Sequence, residues 1–419
     1  MTWHEKPWRR VLVAVLLARG LGGCTTGEPS WSEPTVTRDE ETRALEPAEQ
    51  EESLSARWNT EHPLSCADIR PEQLGPSRSF VTQALSREAA CGPGTSEGSG
   101  SLALRNDGPL GVVAWTLVSS KGVPFGRTLL GGDFGSELLA QRRGVHLLID
   151  SFPAAARLQA YSSEGEFLRQ TSFLPAPIRA SDVAADPDGG TVAAWWSAAG
   201  GEAEAWNLWV QSFDEKGRPR ASPRLVRTLH TSESLVLLVG VDQRGRTLVL
   251  WRTSGTGVWE GQWLKRDGTA YKQSFSAAED PDPSNLFSGR LRPLVGEGLV
   301  LRLGDQWVRQ FPSGEPTALP APGWLADSPG SDLTLIRHDR AYALVLPPTP
   351  VAGSGCQERV ALFTRDGEPC GDLVFPFGGS DCSGRSLGIG REGTVIQQLE
   401  LNIPANDQCA WRWWPRLLR

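Results

Sequence analysis

The chain has 419 residues, 39% of them hydrophobic, and a formal net charge of -7 at pH 7. That length holds one large domain or two ordinary ones. Its acidic balance excludes nucleic acid and direct adsorption to anionic lipid as main partners, because both need a positive field.

The first 23 residues have the layout of a secretory signal peptide. Lys6, Arg9 and Arg10 precede the apolar run 11–18, and small residues follow it. The run falls far short of the roughly 20 residues that a spanning helix needs, and Arg19 interrupts it. The tetrapeptide Leu21-Gly22-Gly23-Cys24 resembles the bacterial lipobox. That resemblance implies cleavage before Cys24 and lipid, including palmitate, on its thiol. Removing residues 1–23, which carry a net +3, takes the remaining chain to -10. Thr25 stands where inner-membrane retention in enteric bacteria uses aspartate, so the outer membrane is favoured, with periplasmic or outward orientation left open. Residues 24–58 carry Asp39, Glu40, Glu41, Glu46, Glu49, Glu51 and Glu52 with almost no apolar periodicity, which predicts a flexible acidic tether.

Beyond Cys24 six cysteines remain: Cys66, Cys91, Cys356, Cys370, Cys382 and Cys409. No pair has C-x-x-C spacing, and an exported chain meets an oxidising compartment, so disulfides are expected and metal is not. Short closures cost least entropy, which favours Cys66 with Cys91 and the other four among themselves. The fifteen possible pairings otherwise stay open.

From residue 101 the chain repeats. One landmark is a polar turn leading into an apolar strand, as in Asn106-Asp107-Gly108 before Trp115, Asp186-Pro187-Asp188-Gly189 before Trp195, and Asp242-Gln243-Arg244-Gly245 before Trp251. Weaker copies centre on Gly144, Gly298, Arg340 and Gly393, with a mean step close to 48 residues. A second landmark, a strand ending in a glycine turn, interleaves at Gly122, Gly165, Gly217, Gly268, Gly314 and Gly367. Two turns per unit joining short Val/Leu/Phe/Trp strands make about four strands per repeat, the mark of a β-propeller blade.

Within the unit 183–220, Ala184-Ala185-Asp186-Pro187-Asp188-Gly189-Gly190-Thr191-Val192-Ala193-Ala194-Trp195 is followed by Leu208-Trp209-Val210-Gln211-Ser212-Phe213-Asp214-Glu215-Lys216-Gly217-Arg218-Pro219. This is similar to a repeat found in tandem in secreted and surface proteins of bacteria. Its parts are an Asp-Pro-Asp-Gly turn, a Val-x-Trp strand, a Gln-x-Phe-Asp strand and a Gly-x-Pro turn. The resemblance implies a propeller and no particular activity. We expect an all-β propeller over 101–419, most simply of seven blades, with six or eight as alternatives. The last unit stops one strand short, and residues 79–85, within the N-terminal segment 59–100, can supply the closing strand.

Catalytic signals are sparse. The histidines after Cys24, His62, His146, His230 and His338, lie far apart. Gly353-Ser354-Gly355 and Gly379-Ser380-Asp381-Cys382 lack the order of a nucleophile elbow. Asp280-Pro281-Asp282-Pro283-Ser284-Asn285 lacks the sixth-position glycine and twelfth-position acid of a calcium loop. Asp188-Gly189-Gly190-Thr191 is loosely similar to a sialidase Asp-box, without a Trp after the Thr. Trp115, Trp195 and Trp251 fit sheet-to-sheet packing better than sugar stacking. No catalytic, metal or cofactor residue is assigned. The expectation is a lipid-anchored envelope protein whose propeller binds or scaffolds a protein or glycan. The alternative is an envelope hydrolase acting on glycans or lactones at the propeller channel.

Overall fold

The computed structural model describes strand segments between residues 55 and 151, nearly continuous chain from 155 to 278, and the strands with several turns between 291 and 414. Two units are distinguished, residues 1–41 and 42–419, and all described residues belong to the second. The signal segment, Cys24, Cys66 and most of the expected tether lie outside the described residues.

Every described element is a strand, and the strands form seven antiparallel sheets. The third is typical: Ile178–Ala185, Thr191–Ala198, Ala205–Phe213 and Arg224–His230 pair in chain order. The second (Gly135–Gln141 to Phe167–Ser172), fourth (Leu235–Val241 to Ala270–Ala278) and fifth (Arg292–Pro293 to Thr317–Ala318) repeat this meander. The sixth runs from Asp332–Ile336 to Pro369–Phe377, and the seventh holds Leu387–Ile389, Val395–Leu399 and Gln408–Trp414. In the first, Ala90–Cys91 and Thr95–Ser96 both pair with Leu102–Asp107, and Val113–Val118 and Leu129–Gly131 follow.

Each sheet lies against the next, and the series returns to its start. Gly135–Gln141 meets Ile178–Ala185, which meets Leu235–Val241, then Arg292–Pro293, then Asp332–Ile336. Ala341–Val351 meets Leu387–Ile389, Leu387–Ile389 meets Thr95–Ser96, and Leu129–Gly131 meets Gly144–Ser151. The chain is a β-propeller. Arg78–Gln83 pairs with Gln408–Trp414 in unbroken register as the fourth strand of the seventh sheet, so the two ends of the domain share one sheet.

Stacking sheet on sheet explains the burial. Thr191–Ala198 is buried at every position but its last. Side chains alternate across a strand, so Val192, Ala194 and Trp196 pack with Leu237, Val239 and Trp251 of the fourth sheet. Ala193 and Trp195 pack with Leu148 and Leu158 of the second. The consecutive rings Trp195 and Trp196 thus serve different seams. Trp195 stacks on Phe173 with centroids 4.9 Å apart, and Trp196 meets Trp251 edge-on at 6.5 Å. Trp251, Trp259 and Trp263 are buried too, while Trp206 and Trp209 are half-buried. The side chain of Trp115 lies outside the described residues.

Two expectations need correction. The turn at Asn106-Asp107-Gly108 follows the second strand of its sheet, whereas the turns at Gly144, Gly189 and Gly245 follow the first. The interrupted first strand, Ala90–Cys91 with Thr95–Ser96, carries no apolar alternation to mark it, and this shift in phase makes the step from Gly108 to Gly144, 36 residues, the shortest. The tether assigned to 24–58 also ends early, because Ser55–Trp58 adds a fifth strand to the outer edge of the sixth sheet. An open edge carries unpaired backbone groups that an extended segment satisfies.

Replacing the fully buried Trp195 with Ala is expected to destabilise the domain by about 3–5 kcal/mol, as large-to-small core changes do. Trp206→Ala, at a half-buried ring, is expected to cost clearly less. Urea unfolding followed by fluorescence compares the two, and equal costs would contradict the packing described.

Candidate functional site

A meander sends successive hairpins to alternate ends. In the second to sixth sheets the turns after the first and third strands emerge at one end, and the loops after the second strand and between sheets emerge at the other. We call these the turn end and the loop end.

At the turn end the repeated aspartates are structural. Asp186 Oδ1 accepts the amide of Asp188 at 2.9 Å. Asp242 Oδ1 accepts the amides of Arg244 and Arg246 at 3.0 and 2.9 Å. Asp214 Oδ1 does the same for Lys216 and Arg218, both at 2.9 Å. These are Asx turns, in which a short carboxylate closes the hairpin. Gly190 is required beside them: φ is 99°, and a Cβ there would stand 2.1 Å from the Phe213 carbonyl oxygen.

The second carboxylate oxygens and the neighbouring arginines stitch turn to turn. Asp186 pairs with Arg220, which also donates to the Gly189 carbonyl. Asp242 Oδ2 pairs with Arg246 and accepts the amide of Gly298 in the fifth sheet at 3.0 Å. Glu297 receives Arg244 at 2.7 Å and Arg246 at 3.3 Å, and Asp188 pairs with Arg266. Arg309 of the fifth sheet donates to the Asp366 carbonyl of the sixth at 3.4 Å.

His146 closes the seam between the second and third sheets. It is fully buried; its Nε2–H donates to the Glu215 carbonyl at 3.0 Å, which leaves Nδ1 to accept from the Thr191 hydroxyl at 2.7 Å. Burial pushes its pKa down to about 4, against the opposing pull of the Glu215 carbonyl and the Asp214 charge. Thr171 adds a bond to the Gly217 carbonyl at 3.0 Å. Nearer the middle of the seam between third and fourth sheets, Asp182 Oδ2 accepts the Val239 amide at 2.6 Å, joining the first strands of both.

The loop end is built differently. Arg179 donates to the Ser232 carbonyl at 2.9 Å, and its guanidinium lies 4.6 Å over the Trp206 ring. Trp206 Nε1 donates to the Thr231 carbonyl at 3.2 Å. Leu174, in the connection before the third sheet, is 62% exposed. In the sixth sheet Cys356, at the start of the third strand, is bonded to Cys382 in the connection that leaves the sheet, with Cα atoms 5.5 Å apart. Cys370 is fully buried and disulfide-bonded as well.

Among the described residues, those singled out by sequence do not converge. His146 is a seam residue, and His230 is an exposed end of an outer strand. His62, His338 and 280–285 lie outside the described residues. Cys91 and Cys409 fall in the strands Ala90–Cys91 and Gln408–Trp414. Among the described residues no three metal-ligating side chains come together. Sequence reasoning missed the seam roles of His146 and Asp182 and the role of Arg220, which ties together two turns of its own sheet. Nothing local marks His146 or Asp182, whereas Arg220 directly follows the repeated Gly-x-Pro turn.

No family model matches the chain, and none of the curated proteins does. Among solved structures it is similar to prolyl oligopeptidase B from Galerina marginata, at 9% identity and a TM-score of 0.45 over 74% of this chain. The match covers 47% of that enzyme, so the chain corresponds to about half its length. It is also similar to an oligogalacturonate lyase in complex with manganese (9% identity, TM-score 0.45, 83% of this chain and 96% of that one). A third is the β-propeller domain of the Trilobed protease from Pyrococcus furiosus (11%, 0.41, 75% and 92%).

Because the folded pKa of His146 lies below the unfolded value near 6.5, the unfolded state binds the proton more readily. Stability is therefore complete above about pH 6.5 and falls as pH drops towards 4, by about 3 kcal/mol from this group. Urea titrations from pH 7 to pH 4 should show that slope, and His146→Gln should flatten it. Reducing Cys356–Cys382, whose residues are 26 apart in sequence, removes a closure worth about 3 kcal/mol. Cys356→Ser with Cys382→Ser should lower Tm accordingly; an unchanged Tm would contradict a strap at the loop end.

Proposed function

We propose that the protein is a lipid-anchored envelope protein whose propeller acts as a non-enzymatic binding or scaffold module for a partner protein or glycan. The observation that carries this reading is the division between the two ends. At the turn end the repeated acids and their arginines are spent on holding turns closed and sheets together, so they are not poised for chemistry. The loop end carries the non-repeating residues, with exposed Leu174, the Arg179–Trp206 pair and the Cys356–Cys382 strap. Recognition surfaces on rigid scaffolds are drawn from such loops. The anchor rests on the lipobox resemblance at Leu21-Gly22-Gly23-Cys24, and the acidic residues after it supply reach from the membrane.

Two measurements test the parts separately. Cells fed a fatty-acid probe should label the chain, and Cys24→Ala should abolish the label; persistent label removes the anchor from the reading. A photo-crosslinking residue placed at Leu174 should capture one discrete partner in intact cells, while the same residue at Arg218 on the turn end should not. Equal capture at both positions, or turnover of glycan or lactone substrates by the purified protein, would overturn the binding-module reading.

A further inference from the structure

Ser55–Trp58 is added to a sheet that is already complete. The sixth sheet has its four strands between residues 332 and 377, like its neighbours, and the fifth lies outside Pro369–Phe377. The register sets Ser55, Ala56, Arg57 and Trp58 opposite Val374, Leu373, Asp372 and Gly371.

This edge differs in chemistry from the outer edges of the second, third and fourth sheets. Phe167–Ser172 carries Arg169, and Arg224–His230 carries Arg224, Arg227 and His230, with most positions exposed. Cationic residues on an open edge discourage a further strand. Pro369–Phe377 has no cation, and its one charged residue is Asp372, which lies 3.9 Å from Arg359 of the third strand and which the register also sets across from Arg57. Opposite charges directly across a pair of strands favour pairing. Pro369 and Pro376 bracket the stretch, and proline donates nothing to a ladder, so addition is confined to the residues between them. The resident ladder spans four residues.

We propose that the outer edge of the sixth sheet is a strand-addition site for an extended peptide with Arg or Lys opposite Asp372, that Ser55–Trp58 fills it in the resting chain, and that a partner's segment of the same chemistry displaces it. This deepens the binding-module reading by naming a surface at the rim, separate from the loop end, and stands or falls apart from capture at Leu174.

The test uses the full chain carrying Ala56→Pro with Arg57→Pro. Successive amides alternate in direction along a strand, so one of these two faces the sheet and its loss unseats the segment. A second variant replaces residues 52–60 with Gly/Ser of equal length. The probe is a fluorescein-labelled peptide with the sequence of residues 52–60, followed by anisotropy. Both variants should keep the wild-type circular dichroism and bind the peptide at least tenfold more tightly than the wild type. Adding Asp372→Lys should weaken that binding at least tenfold. Three results would overturn the proposal: folded variants that do not bind, binding indifferent to Asp372→Lys, or variants that unfold, which would make the strand integral to the fold.

Discussion

A sheet packed between two others buries both faces, and a stack of such sheets leaves no bare apolar face only if it returns on itself. That closure is the constraint on which this structure depends. Trp195 and Trp196, adjacent in sequence and fully buried, show what is at stake, since each ring needs a different neighbouring sheet. The closing element is local: six residues, Arg78–Gln83, pair with Gln408–Trp414 and complete the seventh sheet from the opposite end of the domain. The chain then enters the first sheet through Ala90–Cys91 and Thr95–Ser96, so the segment before the repeats binds the seventh sheet to the first.

Packing of apolar faces does not by itself set how the sheets are rotated and spaced, and the turn end supplies that. Four successive seams are crossed there by directional bonds: His146 to Thr191 and Glu215, Asp188 to Arg266, Glu297 to Arg244 and Arg246, and Arg309 to Asp366. Asp242 serves both local turn geometry and contact between sheets, since Oδ1 closes its own hairpin and Oδ2 accepts the Gly298 amide of the next sheet. The exposed pairs among these contribute little each, whereas the buried Asp242 and His146 cannot lose a partner without leaving a desolvated polar group.

This sharing of labour explains which features were readable in sequence. The Asp-x-x-Gly turns at Asp186 and Asp242 and the glycine turns at Gly217, Gly268 and Gly367 recur because these sheets make the same hairpins, and recurrence alone reveals them. Gln211 and Gln262 add a reason for the glutamine: each donates its amide to a main-chain carbonyl beyond its own strand, Ala221 and Tyr271, tying the third strand to the turn or strand that follows. Features that occur once left no such trace. The interrupted first strand of the first sheet and the four-residue strand at Ser55–Trp58 have no apolar period, so the sequence marks neither as a strand.

The sequence by itself determined an all-β repeat, its propeller class, the packing role of Trp195 and Trp251, and the closing strand's location near residue 80. All four follow from periodicity and local turn chemistry, which are properties of neighbouring residues. Only the tertiary structure decided that His146, Thr191 and Glu215 meet, that Asp182 joins two first strands, that Cys356 pairs with Cys382, and that Ser55–Trp58 lies on the sixth sheet. Those contacts join residues 26 to more than 300 positions apart. Ring closure creates them, and no local pattern encodes a distance that exists only once the ring has formed.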